Sequence, residues 1–197
     1  MFKVNVNSNF NVNYDKSVLI IVDMINGFTD SGPLKSEFIK NISQHIRDMC
    51  NRFSDIIAIN DNHFEDDCEF SIYPKHCLYG SYESQICKEL SDIKFTHILN
   101  KNCTNGFFSN GFLHVFKKYL DDNFDFIVVG CCVDICVLEF CLTFKGYLNS
   151  INKDLNIIVP VNLVETYEGR NHSRHEVKNA ALYIMSNCGI KLIDTNL

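Results

Sequence analysis

Cys136 occupies a position where a thiol can act as a nucleophile. It lies in the segment GCCVDICV, after the apolar run FDFIVV at 124–129 and at the start of a helix-like stretch over 134–149. Unpaired backbone N–H groups and the positive end of the helix dipole favour the thiolate over the thiol at such a position. Most free cysteines are small buried apolar residues, however, so Cys136 alone leaves both interpretations open.

Other apolar runs also end in residues that can do chemistry. Asp23 follows the first such run in the chain, and Lys101 follows the third. Asp61 and His63 follow the second. A carboxylate beside a thiol can take its proton, and a nearby cation stabilises both charged partners. Taken singly, an aspartate at a strand end is often a turn or cap residue, and an isolated lysine is usually a solvated surface charge.

Candidate metal ligands surround the loop after the second run. Asp61, His63 and His76 provide the mixed oxygen and nitrogen set expected for Zn, Mn or Fe, and a carboxylate of the intervening loop could complete it. As the alternative, acidic loops are commonly just solvated, and a single histidine such as His63 or His114 is often structural. We favour a metal site because three candidate ligands cluster at one predicted edge.

The elements that must position these residues alternate along the chain between strand-like and helix-like segments. Such alternation predicts an α/β fold in three layers, with a six-stranded, mostly parallel, doubly wound sheet that helices cover on both faces. The common strand order 3-2-1-4-5-6 makes the first and fourth strands neighbours, so Asp23 and Cys136 should face each other at the switch point. The strand-like runs lie at 18–22, 56–59, 96–99, 126–129, 156–161 and 190–193, and the helix-like stretches at 36–53, 83–90, 111–120, 134–149 and 172–187.

Composition narrows the function classes. The chain has 197 residues, 46% of them hydrophobic, which predicts one domain over 1–197. No N-terminal apolar segment or membrane-length run is present, so we expect a cytoplasmic protein with no membrane contact and with ten reduced cysteines. The net charge of −6 without a basic stripe argues against nucleic acid as a partner. A small molecule is the expected partner, and a homo-oligomer is left open.

Three segments resemble a known enzyme family. LIIVDMINGF, ILNKNCTNGFF and VVGCCVDICV are similar, in this order, to the catalytic segments of the isochorismatase-like cysteine hydrolases. The resemblance implies a catalytic triad of Asp23, Lys101 and Cys136. It also implies an oxyanion hole formed by the backbone N–H groups of Val133 and Cys136, with a cis peptide bond entering Val133. Val133 stands where the family usually has threonine.

A fourth segment, YPKHCLYGSYES, resembles the metal-site segment of the nicotinamidases within this family. The family's usual second histidine is absent, and CEF at 68–70 stands in its place. The resemblance implies that Glu69 replaces that histidine as a ligand, beside the three candidates already identified. By the same resemblance, Phe28 and Tyr73 sandwich a pyridine ring, although both could be ordinary core aromatics.

The resemblance implies a nicotinamidase-type amidohydrolase that uses a divalent metal, with zinc favoured and Mn or Fe as alternatives. It would convert nicotinamide to nicotinate and ammonia through a cysteine thioester. Two alternatives remain: a related cysteine hydrolase acting on a ureido or carbamoyl compound, and a non-catalytic relative of the same fold. In the last third of the chain, Tyr167 is a candidate for the pocket border, whereas His172 and His175 are expected at the surface.

Overall fold

Parallel strands form the centre of the molecule. The computed structural model describes residues 4–7 and 10–195; the remaining residues of the predicted domain 1–197 lie outside the described part. Neighbouring strands are parallel, in the order β3-β2-β1-β4-β5-β7, and β6 pairs with the end of β4. The strands are β1 (Ser17–Val22), β2 (Ile56–Asp61), β3 (His97–Lys101), β4 (Asp125–Cys131), β5 (Ile157–Pro160), β6 (Val164–Glu165) and β7 (Lys191–Ile193).

Helices connect most of the strands. They are α1 (Asn26–Thr29), α2 (Glu37–Cys50), α3 (Phe112–Asp121), α4 (Cys136–Ser150) and α5 (Arg174–Asn187). Shorter 3-10 turns lie at Tyr14–Lys16, Cys68–Ser71, Lys88–Leu90 and Gly106–Phe108. Over the described ranges, no helix is both long enough and apolar enough to cross a lipid bilayer.

The sheet is covered on both faces because its strands are apolar on both faces. Successive residues of a strand point to opposite sides, so Val18 and Ile20 of β1 pack into one buried cluster with α3, α4 and α5. Leu19 and Ile21 point the other way and pack into a second cluster with α2. All six residues of β1 are buried. The strand order and the three-layer α/β architecture predicted from the sequence are therefore confirmed.

One predicted helix is wrong. The stretch 83–90 contains only the 3-10 turn Lys88–Leu90. Backbone groups that a helix would use internally are paired instead with the segment that follows β1: the N–H of Gly27 donates to the carbonyl of Glu83 at 2.8 Å, and the N–H of Cys87 donates to the carbonyl of Met24 at 3.0 Å. These long-range hydrogen bonds hold the segment in a non-helical conformation, although its apolar spacing is typical of a helix.

Gly130 permits the close approach of β1 and β4 on which the site is built. Its φ is +114°, which side-chain-bearing residues rarely adopt, and a Cβ atom there would lie 2.1 Å from the carbonyl oxygen of Val22. Val22 and Gly130 are register partners at the ends of these strands. A side chain at Gly130 would thus push apart the two strand ends that carry Asp23 and the loop before Cys136.

We expect Gly130→Ala to lower the free energy of unfolding by at least about 2 kcal/mol, because it combines a disfavoured φ with a steric clash. Urea unfolding followed by circular dichroism measures the change. Gly146→Ala is the matched control: Gly146 lies in α4 and, apart from its chain neighbours and its own helix backbone, no described atom lies within 4 Å of an added Cβ, so alanine should stabilise by about 0.5–1 kcal/mol. Equal effects of the two substitutions would contradict this account.

Candidate active site

The carboxyl ends of four neighbouring strands converge at one edge of the sheet. Asp23 directly follows β1, Asp61 and Lys101 are the last residues of β2 and β3, and Cys136 is the first residue of α4 after β4. Asp61 and Lys101 are register partners, which places their side chains at the same level of the sheet. The structure thus brings together the strand-end residues identified from the sequence.

Asp23, Lys101 and Cys136 form what we call the catalytic cluster. The Lys101 ammonium nitrogen lies 2.9 Å from Oδ2 of Asp23 and 3.8 Å from the sulfur of Cys136, and it also donates to Oδ1 of Asp61. The other oxygen of Asp23 accepts the backbone N–H of Asp61 at 2.8 Å. All of these side chains are buried. The cluster therefore holds a nucleophile, a carboxylate and a cation in direct contact away from water.

Burial and charge set the protonation of this cluster. Burial raises the pKa of Asp23 to about 7, with Asp61 adding to the shift and Lys101 opposing it. Burial alone would raise the pKa of Asp61, but Lys101 and two histidines lower it. Burial alone would lower the pKa of Lys101, but the two carboxylates raise it. Asp61 and Lys101 are thus charged, while Asp23 can both accept and release a proton near neutrality.

The resting state of Cys136 differs from the sequence-based expectation. Burial, followed by the charges of Asp23 and Asp61, raises the pKa of the thiol well above its usual range, and Lys101 offsets only part of this. The predicted helix start at Cys136 is present, yet burial keeps the pKa of its thiol raised. Cys136 therefore rests as a thiol, and action as a nucleophile would require a base.

The backbone around Cys136 also requires a correction. The cis peptide bond joins Cys131 and Cys132, one residue before the position that the family resemblance implied. The N–H of Val133 donates to the carbonyl of Glu165 at 2.9 Å, so it is not free to bind an oxyanion. Among the described residues, the N–H groups of Cys132 and Cys136 have no acceptor. The free pair of donors is thus Cys132 and Cys136, while Val133 packs in the core.

Four side chains next to the catalytic cluster form a second group, the ligand cluster: Asp61, His63, Glu69 and His76. One donor atom from each lies within 4.8 Å of all the others. Nε2 of His76 is 3.4 Å from Oδ2 of Asp61, and Nε2 of His63 is 3.8 Å from Oε1 of Glu69. All four predicted ligands therefore point their donor atoms at one place.

A paired loop returns His76 to the end of β2. The N–H of His63 donates to the carbonyl of Cys77 at 3.0 Å, and the carbonyl of His63 accepts the N–H of Tyr79 at 2.8 Å. Glu69 lies between the two histidines in the chain, in the turn Cys68–Ser71, which keeps its carboxylate within 3.8 Å of Nε2 of His63. A short parallel bridge between His63 and Leu78 thus brings the two histidines together, although they lie thirteen residues apart in the chain.

Hydrogen bonds behind the two histidines orient them for coordination. Nδ1 of His76 lies 2.8 Å from the carbonyl of Pro74, which can only accept, so this nitrogen carries the proton and leaves the Nε2 lone pair toward the cluster. Nδ1 of His63 lies 3.1 Å from Oδ2 of Asp67. Nε2 of His63 is buried without a hydrogen-bond partner in the described part of the chain. An unpaired, inward-facing imidazole nitrogen beside two carboxylates suits a divalent metal.

Asp67 is a functional candidate that the sequence analysis did not identify. Besides His63, it accepts the N–H of Phe64 at 2.9 Å and the amide of Asn102 at 3.2 Å. It belongs to an acidic loop whose members look equivalent in sequence. The available signal was its spacing of four residues from His63, which only the turn of this loop converts into a contact.

The two clusters open into one cavity. Phe28 and Tyr73 line it, with ring centroids 5.8 and 6.5 Å from that of His76, so the predicted ring contacts lie beside both the ligands and the nucleophile. Tyr167 also lines it, as the sequence suggested. Four further lining residues were not predicted from the sequence: Leu34, Thr104, Cys132 and Ile135.

We expect Asp67→Asn to weaken binding of Zn²⁺ or Mn²⁺ by about 10–100-fold, because residues that orient a ligating imidazole contribute on this scale. Titration of the apo-protein at fixed physiological salt measures the affinity. Asp66→Asn is the matched control, since Asp66 is the exposed neighbour and contributes only screened charge. Glu69→Gln should also weaken binding, whereas Glu65→Gln should not. A large effect at Asp66 with none at Asp67 and Glu69 would refute this arrangement.

Comparisons with known proteins found a family model, a relative and solved structures that are similar to this chain. The model of the isochorismatase domain matches residues 17–196. Nicotinamidase 1 of Arabidopsis thaliana is 34% identical over 176 residues, covering 79% of this chain and 69% of that protein. The structure of PnC1 from L. infantum in complex with nicotinate has a TM-score of 0.79 at 18% identity, covering 94% of this chain and 96% of that one.

A further solved structure is that of the pyrazinamidase of Pyrococcus horikoshii in complex with zinc. Its TM-score is 0.72 at 18% identity, with 91% of this chain and 99% of that one covered. At this identity the two structural likenesses establish a common fold. The match of the isochorismatase-domain model over residues 17–196, with the 34% identity to Nicotinamidase 1, shows that this chain belongs to the isochorismatase family.

Proposed function

We propose that this protein is a nicotinamidase, an amidohydrolase that converts nicotinamide to nicotinate and ammonia. The observation that carries the proposal is that the catalytic cluster and the ligand cluster open into one cavity lined by aromatic rings. A nucleophile beside a ring-binding site fits an aromatic carboxamide as substrate. The identity of 34% to the nicotinamidase of Arabidopsis thaliana supports the same activity.

The first step is proton transfer within the catalytic cluster. Cys136 rests as a thiol, and one carboxylate oxygen of Asp23 lies within 4.8 Å of its sulfur, so this carboxylate, which Lys101 contacts at 2.9 Å, is the base placed to take the thiol proton. The sulfur then attacks the carboxamide carbon of the substrate. Lys101, 3.8 Å from the sulfur, stabilises the developing thiolate. The same ammonium keeps the carboxylate of Asp23 in place.

The tetrahedral intermediate carries its negative charge on the former carbonyl oxygen. The N–H groups of Cys132 and Cys136 are the donors free to stabilise it, replacing the pair with Val133 that the resemblance had implied. Asp23, now protonated, gives its proton to the amide nitrogen as the C–N bond breaks, which releases ammonia and leaves the thioester. Asp23 then acts as a base for the water that hydrolyses the thioester, which releases nicotinate and restores the thiol.

The ligand cluster would hold a divalent metal, which we propose to be zinc because two imidazoles and two carboxylates form its donor set. The zinc complex of the pyrazinamidase of Pyrococcus horikoshii supports this choice. When bound, such an ion supplies a Lewis-acid position for a ring nitrogen. Phe28 and Tyr73 would hold the ring between them, which orients the carboxamide toward the sulfur. The single domain over 1–197, the cytoplasmic location and a homo-oligomeric state stay predictions.

We expect Cys136→Ala to reduce ammonia release from nicotinamide by at least about 10³-fold with the fold retained, because it removes the nucleophile from a site that tolerates a small apolar side chain. A coupled ammonia assay and circular dichroism measure the two quantities. Cys141→Ala, which removes another buried thiol from the same helix, should keep nearly full activity. Full activity of Cys136→Ala would exclude the covalent mechanism.

The ring-binding role of the ligand cluster is tested with two amides. His76→Ala should lower the bound zinc content and raise KM for nicotinamide by about tenfold or more, with a smaller effect on benzamide, which lacks the ring nitrogen. The control His114→Ala removes an exposed histidine on α3 and should change neither value. Equal losses for both amides would argue against ring-nitrogen recognition.

Wild-type protein that releases ammonia only from a ureido or carbamoyl compound would belong to the alternative class of hydrolase.

A further inference from the structure

Tyr167 forms part of the cavity wall and is half-buried against the second hydrophobic cluster. It follows the two-residue strand β6 and lies in the loop before α5. Within the described ranges, the only aromatic ring packed against it is that of His172, with centroids 3.8 Å apart and planes inclined by 5°. This close parallel stack covers one side of the tyrosine ring. The orientation of this part of the wall therefore depends on the imidazole as well as on the contact with the core.

His172 is itself fixed at both ring nitrogens. Nε2 lies 2.7 Å from Oδ2 of Asp134, and Nδ1 lies 3.0 Å from the backbone carbonyl of Tyr167. The side chain is only 18% exposed, so the expectation of a surface histidine is wrong. The reason is the turn from Gly169 to His172, closed by two backbone hydrogen bonds of 3.0 and 3.2 Å, which folds the imidazole back under Tyr167.

Asp134 ties this arrangement to the nucleophile. It lies in the short loop between β4 and α4, between the two residues whose N–H groups are free, Cys132 and Cys136. Its carboxylate is 13% exposed. The loop that carries the nucleophile and the loop that carries Tyr167 are therefore joined through one imidazole. No step of the proposed mechanism uses that imidazole.

We propose that His172 is a positioning residue for substrate binding: Asp134 holds its ring, and the ring holds Tyr167 as a wall of the substrate cavity. This inference rests on the proposed function for its kinetic part. His172 does not touch the reacting atoms, so its effect passes through Tyr167. A wall that orients an aromatic amide changes how tightly the substrate binds more than how fast the bound substrate reacts.

The first experiment compares His172→Ala with His175→Ala. His175 is the matched control because it is a nearby exposed histidine, in the first turn of α5. We expect His172→Ala to raise KM for nicotinamide by about 3–10-fold, the range that an aromatic stack contributes, with kcat changed by less than about twofold. His175→Ala should change neither parameter. His172→Phe keeps a flat ring and should recover part of the lost affinity.

The second experiment asks whether His172 acts through Tyr167. Tyr167→Ala should also raise KM, and the double variant Tyr167→Ala/His172→Ala should be no worse than Tyr167→Ala alone, because the second truncation removes the support of a ring that is already absent. Independent, multiplying effects of the two substitutions would overturn the proposal. So would a kcat loss in His172→Ala with KM unchanged.

Hydrogen exchange tests the same link without substrate. In His172→Ala, and not in His175→Ala, the amides of 132–136 and 164–169 should exchange faster than in the wild type, since both loops lose their common partner. Wild-type protein that releases no ammonia from nicotinamide would refute the proposed function alone, and exchange would then decide the positioning role. Unchanged exchange in both segments would overturn that role whatever the activity.

Discussion

The buried ammonium of Lys101 is the interaction on which the site depends. A charge removed from water is tolerated only if opposite charges surround it, and Lys101 contacts both Asp23 and Asp61. Asp61, which stays charged, is the counter-ion of this ammonium, while Asp23 can exchange its proton. Since Asp61 also belongs to the ligand cluster, the ammonium physically joins the part of the site that does the proposed covalent chemistry to the part that would bind metal and ring. These two functions therefore share one electrostatic centre.

The shared contact with Lys101 helps to explain why the pKa values of Asp61 and Asp23 differ. Asp61 faces the ammonium and two imidazoles, which hold its pKa below the ordinary range, whereas Asp23 is fully buried and faces the ammonium and the negative charge of Asp61. The same side-chain type thus becomes a permanent anion at one position and a proton carrier at the other. Environment, rather than residue identity, separates a ligand from a base.

The sequence predicted the strand-end residues well because one rule governs them: carboxyl ends of parallel strands meet at one edge. Asp23, Lys101 and Cys136 followed from that rule, and the family resemblance added Glu69. The rule says nothing about a backbone N–H whose partner is far away in the chain. The donor set near the nucleophile was therefore misassigned by one residue, since the pairing of Val133 with Glu165 is invisible in the motif. Long-range backbone pairing also explains why the helix predicted over 83–90 is absent. The strand β6 was not predicted because two residues are too few to show the alternation typical of a strand.

The position of β3 in the sheet adds a consequence for how activity can be lost. Among the residues that the structure describes, β3 is an edge strand paired with β2 alone, and its Ile98 is 53% exposed, yet its last residue supplies the central ammonium. Edge strands open locally at lower free energy than central ones. Partial detachment of this one strand would withdraw the cation while the remaining sheet stays folded. Inactivation under mild stress is thus expected to begin at the rim of the molecule rather than with collapse of its core.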